Sequence, residues 1–157
     1  MNLLIIDQLK ETPIFQDLDV QHLEEISRLC KVEQLSDGTV VIEENSDENY
    51  DIFIIIKGYL EVVSNTGKCL SDELVLSKQN HGMFGEIGWL KKAKRTASIR
   101  SHGHVELIRI DGDRLEEYFD KNNIVGYKVM RRIAINLSNN IKETNTLLKQ
   151  VLFTENL

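Results

Sequence analysis

Cysteine is scarce in this 157-residue chain: Cys30 and Cys69 stand far apart and form no CxxC pair. Neither a disulfide framework nor a zinc site is expected from them, and a reducing cytoplasm is the simplest setting. Long apolar runs are lacking too. The one near the start, Leu3-Leu4-Ile5-Ile6, is broken by Asp7, has no basic flank and is far too short for a signal core or a membrane span. Positive charge is in deficit, with a formal net charge of -6. The bulk of the molecule therefore repels nucleic acid and anionic membranes, and neither is expected as a direct partner. Internal repeats and low-complexity linkers are also missing.

What is present is an ordinary globular balance, 41% hydrophobic and 28% charged residues, in a length suited to one core. One domain over 1–157 is expected, in three stretches. Residues 1–31 read as helices: Pro13 interrupts, Asp17 or Asp19 can cap a second helix, and Val20, Leu23, Ile26, Leu29 and Cys30 fall on one face. His22 is expected on that helix's surface. Residues 32–110 change to short β-branched runs, namely Val32 to Leu35, Thr39 to Ile42, Ile52 to Ile56, Leu60 to Val63, Leu74 to Leu76, Ala97 to Arg100 and Val105 to Ile110. The separators Ser36-Asp37-Gly38, Lys57-Gly58, Asn65-Thr66-Gly67 and His81-Gly82 have turn chemistry, so hairpins are the expected connections. Residues 111–157 return to helix. Asp111 to Asp113 can cap a short segment carrying Leu115, Tyr118 and Phe119, and a longer helix runs from about Ile124 to Phe153. The predicted fold class is mainly β with flanking helices (α+β): an antiparallel β-roll or double-stranded jelly roll with N-terminal helices and a long C-terminal helix.

On that last helix Ala134, Leu137, Ile141, Thr144, Leu148 and Val151 follow one another in steps of three and four, the spacing of an a/d seam. Early in the helix such a stripe serves equally well to pack on the chain's own sheet. Toward Leu148 and Val151 it outruns the domain body, and a homodimer through the C-terminal helix is the expected use.

The residues with chemistry concentrate between 82 and 101, in a strand end, a short helical turn, a loop and a returning strand. Gly85 immediately before the turn lets backbone N–H groups approach an anion, and the turn's start carries partial positive charge. Arg95 on the returning strand can add a charge-assisted fork onto phosphate oxygens. Glu86 beside such an anion would repel it unless its carboxylate faces a hydrogen-bond donor, and a ribose hydroxyl is such a donor. A cyclic nucleotide supplies both groups.

Phe84-Gly85-Glu86, the apolar stretch Ile87 to Leu90, and Arg95-Thr96-Ala97 together resemble the phosphate-binding cassette of cyclic-nucleotide-binding domains, among them the cytosolic domains of nucleotide-gated channels and the sensor domain of catabolite activator proteins. The resemblance extends over nearly the whole chain, including the glycine turns at Gly38, Gly58 and Gly82. It implies that Gly85 and the backbone amides after it bind phosphate with Arg95, that Glu86 binds the ribose 2′-hydroxyl, and that the Ile87 amide, Thr96 and Ala97 are neighbours of the site. It also implies that Val62 and Leu76 line a base pocket, and that Thr144 and Asn145 on the last helix reach the base. The implied ligand is cAMP or cGMP, with no further cofactor. Thr96 resembles a threonine that cGMP-preferring members use, whereas family prevalence leans to cAMP. The implied mechanism is a helix that changes position when ligand binds, with the output passing to an unknown downstream effector or through the dimer seam, or the chain being one domain of something larger. Two departures stand out: Asn45-Ser46-Asp47 replaces the usual Gly-Asp turn, where Asn tolerates the left-handed conformation, and the loop Lys91-Lys92-Ala93-Lys94 has no Gly or Pro.

Blander uses compete for the same residues. Glu86 alone is commonly a first-turn helix acid and Arg95 alone a surface cation. The run Lys91, Lys92, Lys94, Arg95 serves as a solvated face that also steers an anionic ligand. Trp89 reads as a core or lid aromatic. His102 and His104 form an H-x-H pair that a metal-dependent cupin would use, but the carboxylate expected a few residues on is replaced by Ile108 and Arg109, so a turn with two exposed imidazoles and no metal is expected. No nucleophile, base and orienting group fall together, and no second carboxylate accompanies Glu86, so the chain is not expected to be an enzyme. The alternative from another class is an interaction module that has lost its ligand and acts through the C-terminal helix.

Overall fold

The computed structural model describes residues 3–65 and 73–155. Cys69 and the turn centred on Thr66-Gly67 lie outside the described residues. The helical start divides at Pro13 into α1 (Leu3–Glu11) and α2 (Val20–Ser27). Asp19 occupies the cap position of α2 without a side-chain cap bond, while Asp17 instead pairs with Arg132 far along the chain. Leu23 and Ile26 are buried as the stripe requires, Val20 is exposed, and Cys30 already opens the first strand. His22 is half-buried, with its Nδ1 2.8 Å from the Tyr118 hydroxyl.

An antiparallel sheet follows, built from β1 (Cys30–Leu35), β2 (Val40–Ile42), β3 (Ile52–Asn65), β4 (Glu73–Gln79), β5 (Met83–Phe84) and, after α3 (Glu86–Lys91), β6 (Ser98–Ile110). Its path runs β1-β6-β3-β4, with β2 also on β6 and β5 also on β3. Two long strands thus replace four predicted ones. Lys57-Gly58 was expected to reverse the chain, yet β3 runs straight through it with a register shift against β6. Gly58 has φ +93, and a Cβ there would sit 2.4 Å from the His104 carbonyl oxygen. Its freedom is used for a bulge that bends two paired strands, because close backbone approach from β6 needs the missing side chain. His102 and His104 lie in the matching bend of β6 around Gly103 (φ +73) and not in a turn.

Alternation along β3 and β6 divides the core. Ile52, Ile54, Ile108 and Ile110 face the helices, joining Leu9, Phe15, Leu23, Leu115 and Val129. Phe53, Ile55, Val105 and Leu107 face the other way, with Leu60, Phe84 and Ile99. Both faces of the strand centre are covered, which is why Ile52–Ile55 reads as an unbroken apolar run.

After β6, Asp111 caps α4 (Gly112–Lys121), accepting from the Arg114 N–H at 3.0 Å. The chain ends in α5 (Asn123–Glu155). Val125, Val129 and Ile133 bury the first third of α5, and Arg132 grips Asp17 in the segment between α1 and α2. From Ser138 to Thr154 every residue is exposed, including Ile141, Leu148 and Val151 of the seam. No described helix is long and apolar enough to cross a membrane.

Candidate functional site

The short strand β5 brings Phe84 onto Phe53 of β3 and delivers the chain to Gly85. Gly85 sits at the cap of α3 with φ +90 and ψ -6, a left-handed conformation that lets the chain turn at once from strand to helix. A Cβ at that position would lie 2.6 Å from the Asp51 carbonyl oxygen. Helix α3 closes at Lys92, which takes φ +47 in the loop that has no Gly or Pro, and Asn45 likewise adopts φ +65 in the substituted turn. Both departures from the family pattern are absorbed by left-handed residues.

Arg95 is the unusual member. It is 5% exposed, and its guanidinium donates from Nη1 to the Gly85 carbonyl at 3.0 Å and from Nη2 to the carbonyls of Asn49 at 2.9 Å and Asp51 at 3.3 Å. The Tyr50 ring lies under it at 5.7 Å. Gly88 makes room, since a Cβ there would come within 2.4 Å of Nη1. Among the described residues no carboxylate approaches Arg95 to ion-pair distance. Burial lowers its pKa from the ordinary value, opposed by the charges of Asp51, Tyr50 and Glu86. A buried cation whose side-chain hydrogen bonds all go to main-chain carbonyls is unusual, because desolvation of a full charge is normally offset by a counter-charge at bonding distance.

Glu86, half-buried in the first turn of α3, has its pKa raised by desolvation, against the opposing pull of a backbone hydrogen bond and of Arg95. Both side chains line one hollow of about 280 Å³. Its wall includes the candidates Val62, Gly85, Ile87, Thr96 and Ala97, together with Ile42, Gln79, Met83, Phe84, Gly88, Ile99 and Asn140. Gln79, Met83, Glu86 and Asn140 also border a second hollow of about 350 Å³ that runs beneath α5 toward Thr12 and Ile14.

Leu76, Thr144 and Asn145 are not brought to this place. Leu76 is 55% exposed on the edge strand β4. Thr144 turns its hydroxyl back to the Asn140 carbonyl at 2.8 Å, and Asn145 is exposed one turn beyond the hollow. Asn140 stands nearer, because the register of α5 is set by Val129, Ile133 and Leu137 packing below it. The amide pair Gln79 and Asn140 carried no motif, and only the burial phase of α5 could have singled out Asn140.

The basic run divides by position. Lys91 and Lys94 are exposed, and Arg95 turns inward. Lys92 ties the cassette loop to α4 through Asp113 at 3.1 Å and Glu116 at 2.8 Å. On the opposite face of the sheet His102 Nδ1 lies 3.0 Å from Glu61, whose other oxygen accepts from Arg100. Among the described residues no group of three or more His, Cys, Asp and Glu side chains is placed to hold a metal ion, the cupin arrangement included.

The cyclic nucleotide-binding domain model matches residues 32–122, more than half of the chain and the whole of the cassette. The chain belongs to the cyclic nucleotide-binding domain family. Solved structures agree on the fold. A cyclic nucleotide-binding domain from Methylobacillus flagellatus superposes with a TM-score of 0.76 at 16% identity, over 93% of this chain and 82% of that one. A putative cyclic nucleotide-binding protein from Geobacter metallireducens gives 0.68 at 22% identity, over 82% and 91%. The regulatory domain of Toxoplasma gondii PKA, crystallised with cAMP, gives 0.63 at 21% identity over 72% of this chain, which spans only 42% of that one. No curated protein sequence matches significantly. As a member of this family, the domain has a regulatory, sensor-type fold.

Proposed function

We propose that this domain is a receptor for cAMP or cGMP, with the cyclic phosphate against Arg95 and the amides that follow Gly85, and the ribose 2′-hydroxyl on Glu86. The observation that carries the proposal is the buried, unpaired guanidinium beside a hollow that also holds a half-buried carboxylate. The phosphate supplies the counter-charge that the fold withholds, and Glu86 accepts from the sugar instead of opposing the anion. The base then leans on Val62 and meets Gln79 and Asn140, while Thr144 and Asn145 reach it only if α5 shifts toward the sheet. That shift is the proposed response: ligand selects the arrangement of α5 in which it has more contacts. The exposed seam from Ile141 to Val151 is the proposed output surface, and a second copy of the chain is its simplest partner.

Isothermal titration with both nucleotides tests the proposal. Saturable heat with cAMP or cGMP, and much weaker heat with the open-chain 5′-monophosphate, is expected. Silence with both cyclic nucleotides at millimolar concentration would leave the ligand-free interaction module standing in its place.

Glu86→Gln is expected to act in opposite directions on binding and on folding. Because the folded domain raises the Glu86 pKa, this group contributes stability at pH values below its unfolded pKa, and the contribution is lost as pH rises through the folded value. At neutral pH the Gln variant should therefore melt higher than the wild type without ligand. Its affinity should fall for a ribose nucleotide and barely change for the 2′-deoxy analogue. Equal losses on the two ligands would remove Glu86 from the hydroxyl.

A further inference from the structure

Two hydrogen bonds that lie outside the hollow tie the start of α4 to the cassette and to the residue before β3, and both end on Gly112. Asp51 Oδ1 accepts from the Gly112 N–H at 3.2 Å, and the Trp89 indole donates from Nε1 to the Gly112 carbonyl at 2.8 Å. Each donor or acceptor is one step from Arg95. The main-chain carbonyl of Asp51 receives Arg95 Nη2, and Trp89 follows Gly88, against which the guanidinium packs. The frame is tight at its far corner. A Cβ on Gly112 would lie 2.2 Å from the Tyr50 carbonyl oxygen and 2.9 Å from Trp89 Cδ1. Asp51 is itself fixed by a third contact, its Oδ2 accepting from Arg109 Nε at 2.6 Å.

We infer that Asp51 is a positioning residue: it holds the Arg95 guanidinium in place for the anion and passes a displacement of the cassette on to α4 through Gly112. The inference rests on the cyclic nucleotide reading above. Its chemistry follows from the two ends of one residue. The carboxylate is anchored by Arg109 and by the first peptide of α4, so the carbonyl of the same residue cannot follow Arg95 without moving that peptide. When an anion draws on the guanidinium and α3 shifts, the Trp89 indole pulls on the same residue from its other side, through the Gly112 carbonyl of the next peptide. Cassette and α4 are thereby obliged to move together, and α5 follows α4 directly in the chain. Asp51 does not line the hollow, so it acts only through Arg95 and Gly112.

Trp89 is the one tryptophan of the chain, so its emission reads this frame without a label. The test compares the wild type, Asp51→Asn and Asp51→Ala in calorimetric titration with cAMP and cGMP and in Trp89 emission at saturating nucleotide. Asn keeps the shape, but Gly112 and Arg109 donate to different oxygens of Asp51, and the amide replaces one of those acceptors by a donor. Ala removes both contacts. For each variant a loss of affinity on the order of fivefold or more is expected, with a smaller emission change at saturation. A purely structural role would lower the melting temperature and leave that saturated change intact. Wild-type affinity together with the wild-type emission change in Asp51→Asn overturns the inference, as does a wild type that binds by calorimetry without any change in Trp89 emission. Should Asp51→Ala fail to fold, Asp51→Asn decides alone. No binding by the wild type sinks the receptor reading itself, and is told apart from the other outcomes by the calorimetry.

Discussion

Arg95→Ala is expected to weaken cyclic nucleotide binding by about 1.5–3 kcal/mol, the range for a hydrogen bond to a charged group, which is roughly ten- to more than a hundredfold in Kd. Its effect on the ligand-free fold should be far smaller, for a reason that separates the two roles of the side chain. Removing the guanidinium leaves three carbonyl oxygens, of Gly85, Asn49 and Asp51, without their donor. Each fully orphaned acceptor would cost about 1–3 kcal/mol. The same substitution, however, removes a buried cation with no ion-pair partner, whose desolvation costs several kcal/mol. The hollow next to it also admits water to the vacated carbonyls. These opposed effects largely cancel in the free domain, whereas nothing replaces the charge that meets a phosphate. Arg95→Lys should fall between, since an ammonium keeps the charge but cannot hold three carbonyls and an anion in one planar fork. Calorimetry for affinity and urea denaturation for stability, run on the same variants, check both halves. An affinity that survives Arg95→Ala takes the residue out of the site.

The contrast between β3 and the cassette shows where the sequence was legible. The cassette was readable because its backbone demands residue types: a glycine to turn left-handed at Gly85, an acid and an arginine at fixed distance from it, and an apolar stretch between. Strand existence was readable from alternation, and so were Pro13 as a break and Asp111 as a cap. Gly58 and Gly103 misled, because a glycine with positive φ suits a reversal and a bulge equally, and only the partner strand decides between them. Arg95 could be identified as a candidate but not as a buried one, since its neighbours Asn49 and Asp51 come from the distant loop between β2 and β3 and Gly88 from α3. The base-side residues were the least legible. Thr144 and Asn145 follow from family geometry, but which turn of α5 overlies the hollow depends on how Val129, Ile133 and Leu137 seat the helix, and that placement brings Asn140 over it.

Gly85→Ala should abolish nucleotide binding as well as cost stability, and Gly38→Ala is the control that shows why. Both glycines hold positive φ, +90 at Gly85 and +74 at Gly38, so both alanines carry the strain of a left-handed L-residue, about 1–3 kcal/mol. At Gly38 the added methyl meets nothing within 4 Å, and strain is the whole effect. At Gly85 the methyl arrives 2.6 Å from the Asp51 carbonyl oxygen and 3.4 Å from Arg95 Nη1. A main-chain oxygen is not free to give way, least of all this one, because it accepts from Arg95 and belongs to the residue that holds Gly112 and Arg109. Relief must come from moving α3 away from β3, which opens the cradle at the point where the phosphate is proposed to bind. Denaturation should therefore show a larger loss of stability for Gly85→Ala than for Gly38→Ala. Nucleotide titration should show wild-type affinity for Gly38→Ala and none measurable for Gly85→Ala. If the two variants lose stability equally and both still bind, the close approach of Gly85 to Asp51 has no part in shaping the cradle.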